Sequence, residues 1–91
     1  MKDLFELKIE GTDICIKLKK MNRTVFSAAS SFITQGDSLQ AAEVMLRGLA
    51  TEESKEQVEF ICKDENFELL LAASSALDEL ISIKSASLKK I

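Results

Sequence analysis

Residues 32–49, FITQGDSLQAAEVMLRGL, read as the end of one helix and the start of another. Phe32 and Ile33 close an apolar stripe that begins at Val25 and Phe26 and continues through Ala29 at helical spacing. Gly36 suits the left-handed residue that follows a helix, and Asp37 or Ser38 suits the cap of the next one. Leu39, Ala42, Met45, Leu46 and Leu49 then repeat at i, i+3 and i+7, a second stripe for burial. The stretch predicts an αα-corner near the middle of the chain.

Toward the N-terminus the period changes. In LFELKIEGTDICIKLKK (4–20), Phe5, Leu7 and Ile9 alternate with Glu6 and Lys8, and Ile14, Ile16 and Leu18 alternate with Cys15, Lys17 and Lys19. Two period-2 runs joined through Gly11 predict a β-hairpin with one apolar and one charged face. An isolated hairpin is marginal in water, so this one must lie on helices or gain strands from another copy. Helical spacing starts at Asn22, which with Thr24 is a candidate cap.

Toward the C-terminus, Thr51 or Ser54 can cap a short third helix carrying Val58, Ile61 and Cys62. Asp64 or Asn66 can cap the last element, FELLLAASSALDELISIKSASLKK (67–90). One side of that element holds Phe67, Leu70, Leu71, Ser74, Leu77, Ile81 and Leu88, and a second holds Leu69, Ala72, Ala73, Ala76, Leu80 and Ile83. Two apolar sides imply burial between elements or an oligomer contact. Lys84, Lys89 and Lys90 complement the C-terminal end of a helix dipole. The recurrence of SAASS and LAASSA reads as small helix-packing residues rather than duplication.

These elements predict an α+β fold, an N-terminal β-hairpin packed on a bundle of three to four short helices, the last the longest. The 91 residues suit a single domain, with the hairpin in 1–20 and the helical part in 22–91. A core of this size confers modest stability. The composition, 46% hydrophobic and 30% charged, is that of a globular chain rather than a disordered one. No apolar run approaches the ~20 residues of a bilayer span, and MKDLFELKIE lacks the apolar core of a signal peptide, so a cytoplasmic protein is expected.

Little in the chain points to catalysis. It contains no His, Trp, Tyr or Pro, and the pairs Asp64–Glu65 and Asp78–Glu79 diverge by about 100° on a helix. Cys15 and Cys62 have no CxxC spacing and no His to complete a metal site, and read as small buried hydrophobes. Gly11, Gly36 and Gly48 form no phosphate-binding loop. No enzyme activity, metal or cofactor is expected.

Charge is uneven. Lys and Arg outnumber Asp and Glu by six to four in residues 1–35, are outnumbered three to eight in 36–66, and balance three to three in 67–91. Lys17, Lys19, Lys20 and Arg23 form the basic cluster, too small and too poor in interleaved aromatics for a nucleic-acid face in an acidic protein. Glu52, Glu53, Glu56 and Glu59 read either as a solvated helix face or as a docking surface for a basic segment.

Taken in order, FELKIEGTDICIKLKK, Arg23 with an Ala-containing helix, GDSLQAAEVMLRGL, an acidic gap and DENFELLLAASSALDELISIKSASLKKI resemble the small tail assembly chaperone-like proteins of tailed bacteriophages and prophages. The resemblance covers nearly the whole chain. It implies a small, largely helical protein that binds a long tape-measure protein during tail assembly and is absent from the finished virion. Many related chains carry a proline where the strands give way to the first helix, whereas this chain has Met21-Asn22. Many also have a longer, frameshifted form, of which these residues give no sign.

Under that reading the partner-binding surface is expected at Met45, Leu46 and Leu49 together with Leu69, Leu80 and Ile83, receiving apolar helical segments of the partner. The competing reading places all six in the core. Two further functions stand beside it: a self-assembling phage scaffold subunit forming rings by strand addition at the hairpin, and a regulator binding nucleic acid through Lys17 to Arg23.

Overall fold

The computed structural model describes residues 4–78 and 89–90. Strands β1 (Leu4–Lys8) and β2 (Cys15–Lys19) form an antiparallel hairpin, followed by helices α1 (Arg23–Thr34), α2 (Ser38–Leu49), α3 (Lys55–Ile61) and α4 (Phe67–Leu77). Short 3-10 turns, Glu52–Ser54 and Asp64–Asn66, lead into α3 and α4. The fold is α+β, as the periodicities predict. With its leading turn the last helical stretch has 14 residues, three plus eleven, against 12 in each of α1 and α2.

The hairpin register pairs Phe5 with Leu18 and Leu7 with Ile16, placing the apolar set on one face. Leu7, Ile9, Ile16 and Leu18 are buried against the helices, while Glu6, Lys8, Lys17 and Lys19 remain in solvent. Phe5 departs from this pattern: it lies at the end of the face and is 43% exposed.

The αα-corner forms as read. The amide of Gly36 donates to Ile33 O (3.1 Å) and that of Asp37 to Phe32 O (2.8 Å), the paired bonds of a Schellman ending. Gly36 has φ +79°, which a side chain would strain. Asp37 then caps α2 by accepting the Gln40 amide at 3.1 Å. At the other end of α1, Asn22 Oδ1 accepts the Val25 amide at 2.9 Å.

Helix α2 is the centre of the core: Ala41, Ala42, Met45, Leu46 and Leu49 are all buried on it. α1 packs along it closely enough that Gly48 leaves no room for a Cβ beside Val25. From α4 come Leu70, Ala73 and Leu77, one stripe drawn from both predicted apolar sides, with Leu69, Ser74 and Ala76 half-buried beside it. Phe67 and Leu71 face solvent. Sequence spacing admits several stripes on so apolar a helix, and contact with α2 and β1 selects one.

The expected caps of the third helix are used differently. Neither Thr51 nor Ser54 caps it by its side chain. Instead the buried Ser54 hydroxyl accepts the Lys17 amide at 2.9 Å, Gln57 Oε1 accepts the Cys15 amide at 3.1 Å, and the Thr51 amide donates to Lys17 O at 3.0 Å. Ala50 also bridges to Leu18. These contacts close the edge of β2 that faces away from β1. Asn66 likewise does not cap by its side chain; its side-chain Nδ2 donates to Phe60 O at 2.8 Å and ties α3 to the start of α4.

Candidate functional site

Three of the six anticipated partner-binding residues belong to the core instead. Met45, Leu46 and Leu49 are at most 2% exposed. They lie on the α2 face covered by the rest of the fold, so Leu46 and Leu49 cannot meet a partner without unfolding. Leu69 is half-buried against the core. Leu80 and Ile83 lie outside the described residues.

The exposed apolar surface arises on α1. Of its predicted stripe only Ala29 is buried; Val25 and Phe32 are half-buried, and Phe26 and Ile33 are 37% and 43% exposed. Among the described elements α1 packs chiefly on α2, which covers only part of the stripe. Phe26 and Ile33, two turns apart, border a groove of about 520 Å³ with Ala41 and Met45 on its α2 side and Ser74 and Asp78 on its α4 side. Met45 thus contributes to the floor of the groove while remaining almost wholly buried.

Gly36 and Ser38 close the groove at the corner, adjacent to the Asp37 cap. Its apolar walls and the one carboxylate that lines it, Asp78, suit an amphipathic segment carrying a basic residue beside an apolar face. The groove runs between three elements and has room for several side chains from one helical face. The sequence names Phe26 and Ile33 but gives no signal separating them from buried members of the same stripe.

The acidic tract is largely neutralised. Glu53 pairs with Lys17 at 3.5 Å, Glu52 with Lys55 at 4.0 Å, and Glu59 with Arg47. This favours the solvated reading over a bare docking face. It also removes Lys17 from the basic cluster as a free cation. Arg47 joins α2 to α3 by donating to Glu59, and within α2 it also donates to Glu43 at 3.0 Å. Those two hydrogen bonds raise the arginine pKa, and the Arg47 bond holds the Glu59 carboxyl below its ordinary value.

The cysteines are both free and half-buried, not fully buried as expected. Cys15 lies beside Glu6, with Sγ 3.7 Å from Oε2. Burial first, then the neighbouring Glu43, pushes the Cys62 thiol pKa up. Among the described residues no His, Cys, Asp or Glu side chains gather into a metal-binding group, and no helix is long and apolar enough to cross a membrane. No protein-family model matches this chain, and neither curated proteins nor solved structures show a significant similarity to it.

Proposed function

We propose that this domain is a non-enzymatic cytoplasmic assembly chaperone of the phage or prophage tail type, shielding apolar helical segments of a tape-measure-like partner. The observation that carries the reading is the half-covered stripe of α1, whose Phe26 and Ile33 face a groove shared with α2 and α4. An amphipathic helix lays side chains at i, i+3 or i+4 and i+7 into such a groove. A basic residue flanking its apolar face would meet Asp78 at the α4 side of the groove. Burial of Phe26 and Ile33 supplies the gain in free energy, and their exposure in the free domain allows later displacement by self-association of the partner.

Two structural features support this reading over its rivals. The Ala50–Gln57 contacts occupy the outer edge of β2, removing one of the two edges that a ring built by strand addition requires. Engagement of Lys17 by Glu53 weakens the basic cluster needed for nucleic-acid binding.

The test is co-expression with a long helical tape-measure-like protein encoded beside this one. Under the proposal, the long protein is soluble only with this domain and co-purifies with it. Phe26→Glu and Ile33→Glu abolish that association while leaving the circular dichroism of the free domain unchanged. Equal solubility of the long protein alone, with no co-purification, would overturn the reading.

A further inference from the structure

We infer that two copies of this chain pair through β1, joining their hairpins into one four-stranded antiparallel sheet with the order β2-β1-β1-β2. This stands independently of the chaperone reading, because it uses the sheet edge rather than the groove.

The alternation of the ladder identifies the open edge. Cys15 and Lys17 direct their amides away from β1, toward Gln57 and Ser54. Their opposite residues, Lys8 and Glu6, therefore direct backbone N–H and C=O groups away from β2. Among the described residues these groups have no backbone partner, so the sheet has one closed edge and one open edge. The open edge carries the exposed Leu4 and Phe5. Such an edge invites another strand, and a single open edge limits addition to two copies.

Charge selects a second copy and its register. Among the described residues neither Glu6 nor Lys8 has an ion-pair partner, since Lys17, opposite Glu6, turns to Glu53. A two-fold axis through Leu7 places Glu6 of each copy opposite Lys8 of the other, giving two reciprocal pairs. The same register exchanges backbone hydrogen bonds at both positions. On the opposite face it sets Leu7 against Leu7 and Phe5 against Ile9, extending the apolar layer over the exposed Phe5. An axis through Glu6 instead sets two glutamates face to face. The groove between Phe5, Leu7 and Leu18 of the hairpin and Ala76 and Leu77 of α4 lies beneath this edge and accommodates the added side chains.

Sedimentation velocity over a wide concentration range tests the inference. The natural chain should form a dimer that dissociates on dilution. Glu6→Lys and Lys8→Glu should each weaken it by about tenfold, through loss of both cross-strand attractions and their replacement by repulsion. Combining them should restore the natural affinity to within about threefold, because both pairs are re-formed with reversed sign. The double variant retains any repulsion between the new lysine at position 6 and Lys17, so restoration reports the contact between copies. A monomer at every concentration, a ring larger than two, a dimer indifferent to either single reversal, or a double variant as weak as the singles would each overturn the inference.

Discussion

Gly48 of α2 faces Val25 of α1 so closely that a Cβ at position 48 would lie 2.7 Å from Val25 Cγ2. Alanine is favoured over glycine by about 1 kcal/mol in a helix interior, yet here it drives a methyl group into a stiff β-branched neighbour. Overpacking costs about 1–3 kcal/mol, so Gly48→Ala should destabilise by about 1 kcal/mol net. Urea denaturation of the two single variants and the Val25→Ala/Gly48→Ala double variant checks this. Truncating Val25 should turn the Gly48→Ala effect from a loss into a gain.

Gly36 has space around it but a left-handed backbone. Gly36→Ala should therefore cost about 1 kcal/mol from conformation alone, lowering the melting temperature by several degrees for a domain this small. Gly36→Asn should cost less, because asparagine tolerates that backbone region.

Ser54 supplies the acceptor for the Lys17 amide at the closed edge of the sheet. Ser54→Ala should destabilise by about 1–2 kcal/mol by leaving that amide without its partner. Hydrogen exchange followed by NMR should show the Lys17 amide losing protection, while the amides of α1 retain theirs relative to global stability.

Leu46 is wholly buried, and truncating it leaves a cavity at the centre of the core. Leu46→Ala should cost about 2–5 kcal/mol, a large share of the stability of a small domain. Phe26→Ala, at the half-exposed groove, should cost less than half as much in the same denaturation experiment.

The raised pKa of Cys62 makes a signed contribution to pH dependence. The folded state favours the neutral thiol, so this contribution is fully present below the ordinary thiol range near about pH 8.5 and is lost as pH rises through the folded value. Stability measured from neutral pH to about pH 10 should fall less steeply in Cys62→Ala than in the natural chain. An identical slope in both would remove Cys62 as its source. The depressed Glu59 carboxyl acts in the opposite sense, its stabilisation present at neutral pH and lost in acid.

The sequence by itself determined the local features: the two alternating strands and their inward faces, the corner at Gly36-Asp37, the Asn22 cap and the α2 stripe. Each rests on interactions among residues a few positions apart, so period and cap chemistry are legible without the rest of the chain. Tertiary structure decided which apolar residues were covered. Met45, Leu46 and Leu49 share their pattern with Phe26 and Ile33, but α2 is enclosed on its apolar face and α1 is packed on only part of its own. Ser54 and Gln57 carry no mark of a sheet edge, because the amides they satisfy lie 37 and 42 residues away. Hydrophobic burial is non-directional, so a stripe states that a face prefers to leave water. The docking of other elements determines whether room remains for it to do so.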